Sequence, residues 1–416
     1  MSIFYKTICL NMIVKDESHI IMKTLNNLCN YIKFDYWVIV DTGSTDNTKE
    51  IITNFFKEKN IPGELHETAW QDFGFNRTDA LNSAFNKADY LFIFDADDMI
   101  IGDFILNIYE LTADIYLLKI GKEFTYYRPL LVNGRKQSKF IGVLHEYFSF
   151  TYNINIKTET INGDYYIESG RIGARSKASD KYLKDAIILE NAHNILMQNN
   201  TDNMLKIRYS FYCAQSYKDC KNMEKAIEWY MKRISYNGWN QEVYYSYYMV
   251  GTIYMKINQP EKAIYYWSLS YEADMERKEC LYEIIKYFRT IQKYNLAYQY
   301  YNMLSNNIQQ ISDYSNKLFI LTNIYDYELD FEFSIIACYV NKHIDAINIY
   351  KKLFSSNINK ERYNLILSNF KFYIKYLDKT DIEFYDIFNS FIKKLDYDTI
   401  NIICIEVIEM VCKLYS

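Results

Sequence analysis

The sequence predicts two architectures in one chain: an α/β domain with a mostly parallel sheet, followed by an all-α region of helical repeats. Strand-sized apolar runs alternate with helical patterns in the first half, and this alternation stops near residue 175. Ten of the 12 glycines lie in the first 173 residues, whereas 31 of the 43 tyrosines follow them. We therefore expect an α/β domain at residues 1–175, helical repeats at 176–310 and an irregular helical region at 311–416.

The strands of the predicted sheet end in polar turns. Residues 8–14, 37–40 and 91–94 are apolar runs of strand length, and helical spacing separates them. Strands that alternate with helices favour a parallel sheet that is covered on both faces. In such a sheet ligands bind beyond the carboxyl ends of the strands, and this sequence places two acidic clusters there.

A repeat is visible in the helical half. Pairs of residues, most of them small, recur 12 positions apart in three units: Ala214 with Ala226, Gly251 with Ala263, and Ile285 with Ala297. Aromatic residues follow the members of each pair at constant distances, and the period is 37 and then 34 residues. The pattern resembles the tetratricopeptide repeat, in which small residues let paired helices approach and aromatic residues fill the groove. A fourth unit near Ala346 matches only in its second helix.

Composition and charge exclude several classes of protein. Gly and Pro make up only 15 of the 416 residues and half of the chain is hydrophobic, so a disordered or collagen-like chain is excluded. A net charge of −5 with interspersed signs offers no basic surface for nucleic acid. Eight cysteines without a CxxC pair, and a start unlike a secretory leader, predict reduced thiols and a cytoplasmic protein. Without an apolar run of roughly 20 residues, no transmembrane segment is expected.

The strongest chemical motif follows the third predicted strand. Asp95, Asp97 and Asp98 come directly after the apolar residues 91–94. Two carboxylates two positions apart at a strand end can reach a divalent ion and a sugar hydroxyl together, and such hard oxygen ligands suit Mg²⁺ or Mn²⁺. An acidic turn or a helix cap would also explain such a pair, but the preceding strand and a second acidic strand end favour a site.

That second acidic strand end is the segment DTGSTD at residues 41–46. Helix capping explains Ser44 and its neighbours, but it does not explain Asp41, which lies on the strand side. Together with LNMIVKDE at residues 10–17, Asn76-Arg77 and Asp95-Ala-Asp97, this segment resembles family 2 glycosyltransferases of the GT-A fold. A histidine–glutamate motif at residues 142–147 and the first helical repeat resemble the subgroup that carries a C-terminal tetratricopeptide-like region.

The resemblance implies roles for individual residues. The nucleotide-sugar site would contain Asp41 at the base, Asp95 at the ribose or sugar, Lys15 and Arg77 at the nucleotide or its phosphates, and Ser44. Asp97 would hold the divalent metal, and His145 would be a metal ligand, a phosphate donor or a base. Members of the family invert, so an acceptor attacks opposite the diphosphate while a base takes its proton. Glu146 and Asp98 are the carboxylate candidates for that base, and Glu146 is preferred.

The leading interpretation is a metal-dependent inverting glycosyltransferase that uses a nucleotide sugar, expected to be a UDP-sugar. The helical half would select a protein, peptide or glycan acceptor or form a homodimer. One alternative is a sugar-phosphate nucleotidyltransferase, but residues 11–17 lack the Gly-rich loop that it would need. The other is an adaptor whose N-terminal half is inactive, against which the intact Asp41, Asp95 and Asp97 argue.

Overall fold

A sheet covered by helices occupies the first part of the chain, and helices alone follow it, which confirms the predicted fold class. The structure is a computed structural model. It describes residues 5–122, 124–152, 155–170, 180–199, 203–305, 316–356, 358–395 and 400–416. Two compact units are present, one within residues 1–246 and 313–320 and the other within residues 247–312 and 321–416. The predicted domain boundary near residue 175 lies outside the described residues, so it stays a prediction.

The strands of the first unit form a large mixed sheet and a separate hairpin. They are β1 (Ile8–Val14), β2 (Tyr36–Asp41), β3 (Gly63–Glu67), β4 (Tyr90–Ile93), β5 (Asp98–Gly102), β6 (Ile115–Ile120), β7 (Phe124–Asn133), β8 (Ser138–Ile141), β9 (Tyr147–Phe150), β10 (Thr158–Thr160) and β11 (Tyr165–Ser169). The main sheet runs in the order β3-β2-β1-β4-β7-β6-β11-β5, and β8 pairs with β9. Strands β1 to β4 are mutually parallel, whereas β7 is antiparallel to both β4 and β6.

Helices cover the sheet and then continue to the end of the chain. The first unit contains α1 (Ile21–Tyr31), α2 (Thr48–Glu58), α3 (Phe73–Ala84), α4 (Lys181–Gln198), α5 (Asn203–Asp219) and α6 (Met223–Ser235). After them come α7 (Asn240–Lys256), α8 (Pro260–Ala273), α9 (Glu279–Thr290), α10 (Tyr294–Ser305), α11 (Leu329–Ile336), α12 (His343–Ser355), α13 (Tyr363–Phe370), α14 (Ile382–Ile392) and α15 (Ile402–Tyr415). Shorter elements are a strand β12 (Ile320–Leu321), a π-helical turn at Ile324–Glu328 and 3₁₀ turns at Lys360–Arg362 and Ile374–Tyr376. Within the described chain, no helix is both long enough and apolar enough to cross a bilayer.

The central strands are apolar on both faces because both faces are covered. Leu10 of β1 lies level with Trp37 of β2 and Phe92 of β4 in the parallel register. These three residues belong to the core cluster that packs under α1 and α2, whereas their sheet neighbours Cys9 and Leu91 pack with α3 and the β8–β9 hairpin. This packing fixes the register, so the carboxyl ends of β1, β2 and β4 meet at one edge of the sheet.

The helix pairs show why small residues recur in the repeat. In the second unit, Gly251 of α7 lies against Trp267 of α8, where a Cβ atom would come within 2.6 Å of the indole Cδ1. The indole Nε1 donates a hydrogen bond to the carbonyl of Tyr248 at 3.1 Å, so the ring is held in place. In the first unit, Ala214 of α5 and Ala226 of α6 are fully buried. Close helix contact at these positions follows from their size.

The first unit is completed by a segment that returns from far along the chain. The ring of Phe319 stacks on Phe124 of β7, with centroids 4.8 Å apart, and on Phe211 of α5 at 6.3 Å. It also meets the edge of Tyr245 at 5.1 Å. This aromatic cluster therefore combines residues that are about two hundred positions apart in sequence.

Candidate functional site

Two loops are joined at the carboxyl ends of β1 and β2. Asp16 adopts a positive φ of 54°, which lets its backbone N–H donate to the Ser44 hydroxyl at 2.9 Å. The Asp16 carboxylate in turn accepts a hydrogen bond from the backbone N–H of Thr45 at 2.7 Å. Ser44 therefore braces the two loops. Lys15 lies exposed in the first of them.

Asp41 is the last residue of β2, and its side chain is fully buried at this edge. Its Oδ1 accepts hydrogen bonds from the backbone N–H groups of Gly43 and Ser44 at 2.9 and 2.8 Å. Its Oδ2 has no hydrogen-bond partner among the described residues. A buried oxygen left without a donor costs about 1–3 kcal/mol, so this acceptor of Asp41 is energetically unfavourable as it stands.

Arg77 lies on α3, which begins where the side chain of Asp72 caps the N–H of Phe75 at 2.8 Å. Its Nη2 lies 2.5 Å from Oδ1 of Asp95, and its Nε lies 2.7 Å from Oε1 of Glu146. The second contact is a close ion pair without hydrogen-bond alignment, since the Nε–H group has no hydrogen-bond partner by geometry. Arg77 thus links two of the predicted site residues, and its own side chain is only 9% exposed.

A second arginine, Arg128 of β7, completes the cluster and escaped the sequence analysis. Its Nη1 lies 3.3 Å from Oδ2 of Asp95 and 3.9 Å from Oδ2 of Asp98. Arg128 reaches the acidic motif because β7 runs antiparallel beside β4, the strand that leads into Asp95. No motif around residue 128 gives that register. The four residues Arg77, Asp95, Arg128 and Asp98, together with Glu146, are called the arginine–carboxylate cluster below.

The arginines hold the carboxyl groups of this cluster in different charge states. Burial alone would raise the pKa of Asp95, but the charges of Arg77 and Arg128 outweigh it and hold that pKa well below its ordinary value. Burial and then the negative charge of Asp95 raise the pKa of Asp98 to about 7, although Arg128 opposes this. One carboxyl group is thus fixed as an anion, while its neighbour can exchange a proton near neutral pH. Such separated pKa values are typical of sites that transfer protons.

The two predicted metal ligands lie in different surroundings. Asp97 is half-buried between Asp95 and Asp98, and its backbone carbonyl accepts from the N–H of Gly170 at 3.0 Å. His145 is exposed, and its ring stacks on Tyr212 with centroids 4.1 Å apart. The described part of the chain contains no group of three or more His, Cys, Asp or Glu side chains arranged to hold a metal. The carboxylate of Asp97 offers the hard oxygen ligands that Mg²⁺ and Mn²⁺ prefer, and the predicted metal stays a prediction.

The structure thus brings together four of the predicted residues: Arg77 contacts Asp95 and Glu146 directly, and Asp98 joins them through Arg128. Asp41 and Ser44 lie at the end of β2, where the backbone N–H of Ser44 donates a hydrogen bond to the Asp41 carboxylate. Lys15 is exposed on the loop that follows β1, apart from these contacts. The roles assigned to these side chains stay predictions, because contacts among them do not identify a ligand.

Comparison with known proteins gives one family match. Residues 9–163 match the model for glycosyl transferase family 2. No match was found among curated proteins. Among solved structures, YrrB, a tetratricopeptide-repeat protein with an unusual peptide-binding site, is 15% identical with a TM-score of 0.35, over 54% of this chain and 99% of YrrB. Residues 1–349 of S. aureus TarS, in complex with UDP-GlcNAc, are 14% identical with a TM-score of 0.32, over 62% of this chain and 89% of that one.

The family match supports glycosyl transfer in general and leaves the donor, the acceptor and any metal open. It covers the strands up to β10, Asp41 and the whole arginine–carboxylate cluster, and it ends before β11 and the first helix of the helical region. The site described above therefore lies inside the part of the chain, residues 9–163, that matches glycosyl transferase family 2.

Proposed function

We propose that this protein transfers a sugar from a nucleotide sugar, a UDP-sugar, to a protein, peptide or glycan acceptor with inversion at the anomeric carbon. The observation that carries the proposal is the position of Asp95. Both of its oxygens are held by arginines, at the sheet edge where the acidic ends of β2 and β4 meet. Ligands of parallel sheets bind at such an edge, and the family match supports glycosyl transfer there.

The free oxygen of Asp41 suits the nucleotide base. Uracil offers an imide N–H, and Oδ2 of Asp41 is a buried acceptor without a partner in the described chain. Binding of such a donor group would remove the cost of the unpaired oxygen. The exposed ammonium group of Lys15, on the adjoining loop, would lie near the phosphates.

The arginines suit the leaving group. Departure of a nucleoside diphosphate leaves negative charge, and cations fixed at that place stabilise the transition state. Arg77 and Arg128 are held in place by Asp95, so they would meet the diphosphate without first having to be ordered. A divalent ion, Mn²⁺ or Mg²⁺, held by Asp97 and the diphosphate, would add to this charge stabilisation, and His145 stays the proposed second protein ligand.

The proton of the acceptor needs a base within hydrogen-bond reach. Glu146 is the proposed base, since its side chain is 10% exposed compared with 4% for Asp98, so an acceptor can approach it more easily. Asp98 is the alternative, because its pKa of about 7 suits proton uptake at neutral pH. Inversion follows if the acceptor attacks from the face opposite the diphosphate.

The test measures release of nucleoside diphosphate from a panel of nucleotide sugars with Mn²⁺, for the native protein and for Asp97→Ala and Arg128→Ala. We expect one UDP-sugar to be turned over by the native protein and both variants to lose at least tenfold in rate. Asp103→Asn, at an exposed position, is the control and should keep full turnover. Absence of turnover with every donor would overturn the proposal. Pyrophosphate release from a nucleoside triphosphate and a sugar phosphate would favour the nucleotidyltransferase instead.

A further inference from the structure

We infer that helix α5, which lies outside the family match, is part of the transfer site, and that Arg208 on this helix is a positioning residue for Glu146. The inference rests on the proposed function. It concerns residues 142–147, called the Glu146 loop below, which join β8 to β9 and carry Glu146 to its ion pair with Arg77. All of these residues belong to the first compact unit.

Two hydrogen bonds tie the backbone of the Glu146 loop to α5. The Nε–H of Arg208 donates to the carbonyl oxygen of His145 at 2.5 Å. One residue further along the helix, the buried hydroxyl of Tyr209 accepts from the backbone N–H of Val143 at 3.0 Å. The helix thus binds one backbone donor of the loop, at Val143, and one backbone acceptor, at His145, and both residues lie just before Glu146.

Ring contacts reinforce the same junction. The imidazole of His145 lies parallel to the ring of Tyr212, with 7° between the planes and 4.1 Å between the centroids. The guanidinium carbon of Arg208 lies 4.9 Å from the centroid of Tyr212 and 5.4 Å from that of Tyr147. Arg208 therefore contacts residues on both sides of Glu146, and its guanidinium group makes cation–π contacts with two aromatic rings.

The loop needs this support because its backbone is unfavourable on its own. His145 has a φ of 52°, in the left-handed region that disfavours residues with a Cβ atom. Gly142 has a φ of 116° and lies so close to α3 that a Cβ atom on Gly74 would come within 2.3 Å of its carbonyl oxygen. A conformation of this kind persists only where the surrounding residues stabilise it. Here Arg208, Tyr209 and Tyr212 contact the loop and stabilise it.

Glu146 connects the loop to the arginine–carboxylate cluster. Glu146 follows His145 directly, and its carboxylate lies 2.7 Å from Arg77, which in turn holds Asp95. Release of the loop would move Glu146 away from Arg77 without removing any group that touches substrate. A displacement of about 1 Å in such a group can cost roughly a hundredfold in rate.

The experiment compares Arg208→Ala, Arg208→Lys and Tyr209→Phe with the native protein. Arg208→Ala should lower kcat at least tenfold and change KM for the UDP-sugar less than kcat, since Asp41 and Lys15, the proposed contacts to the nucleotide, lie outside the loop. Arg208→Lys, which can still donate to the His145 carbonyl, should recover part of the loss. Arg135→Ala is the matched control, because Arg135 also donates to a backbone carbonyl, that of Asn86 at 2.7 Å, and takes no part in the cluster. It should keep full kcat.

Hydrogen exchange separates this inference from the proposed function. Without Arg208 or the Tyr209 hydroxyl, the amides of the Glu146 loop should exchange at least tenfold faster, while those of β1 and β4 stay unchanged. Tyr209→Phe keeps the ring and is the second variant should Arg208→Ala fail to fold. A native protein that turns over no donor would overturn the proposed function, yet the exchange rates would still report on the loop. Unchanged exchange and unchanged kcat in both variants would overturn the role of α5.

Discussion

Asp95 and Asp98 lie three positions apart and share Arg128, yet the pKa of the first carboxyl group is lowered and that of the second is raised. The pKa of Asp95 is held well below its ordinary value by Arg77 and Arg128, whereas burial and the charge of Asp95 raise the pKa of Asp98 to about 7. Asp98 therefore reports on pH in a range where most carboxyl groups do not change.

The stability of the first unit should fall as Asp98 ionises. Its pKa is higher in the folded state than in the unfolded chain, so the folded state binds the proton more tightly and Asp98 stabilises it most below about pH 4. This contribution is lost as the pH rises to about 7, at about 1.4 kcal/mol for each unit of pKa difference. Urea unfolding of the native protein and of Asp98→Asn, at pH 5 and pH 8, measures it. From pH 5 to pH 8, the free energy of unfolding of the native protein should fall relative to that of the variant. A difference between the two proteins that is independent of pH would contradict the shifted pKa.

The base can be identified from paired substitutions. Glu146→Gln should lower kcat by about 10²–10⁴, the range typical of a lost general base, and Asp98→Asn should lower it by less. The dependence of kcat/KM on pH supplies the second measurement. If Asp98 is the base instead, the native profile shows a limb near pH 7 that Asp98→Asn abolishes, and the larger loss belongs to that variant.

Asp41→Asn should separate recognition from stability. The amide oxygen of Asn can still accept from Gly43 and Ser44, as Oδ1 of Asp41 does. The amide nitrogen would replace the unpaired Oδ2 and turn a donor group toward the base. We expect the affinity for UDP to fall at least tenfold, about 1.4 kcal/mol, while the free energy of unfolding changes by less than about 1 kcal/mol. Calorimetric titration with UDP and urea unfolding measure the two effects, with Asp103→Asn as control. Equal UDP affinity would remove Asp41 from the base site.

Gly251→Ala should destabilise the second unit although alanine is the better helix former. The new Cβ atom would lie 2.6 Å from the ring of Trp267 and 3.0 Å from the carbonyl oxygen of Ala263. Overpacking of this kind costs about 1–3 kcal/mol, which exceeds the roughly 1 kcal/mol gained in helix propensity. Urea unfolding followed by tryptophan fluorescence measures it. Ser268→Ala, on the exposed side of α8, should change stability by less than about 0.5 kcal/mol, and a Gly251→Ala protein that is as stable as the native one would contradict the close contact.

The sequence was enough to predict that the acidic strand ends meet at one edge of the sheet, but it identified only part of the arginine–carboxylate cluster. Asp41 and Asp95 follow strands that flank β1 in parallel, so period and strand order are enough to bring their ends to one edge. Arg128 lies on an antiparallel strand whose partner and register are set by long-range pairing, and no local pattern encodes these. The contact of Arg208 with the Glu146 loop is harder still to foresee. It joins a side chain to a backbone carbonyl 63 positions away, and a carbonyl carries no residue identity.

The returning segment at Phe319 has a consequence for synthesis on the ribosome. Domains fold as units as the chain emerges, but in the first unit the ring of Phe319 stacks on Phe124 and Phe211. Helices α7 to α10 are therefore made before this unit can close, and their own packing partners beyond residue 321 come later still. During that interval the rings of Phe124 and Phe211 lack the Phe319 ring that stacks on them in the folded unit.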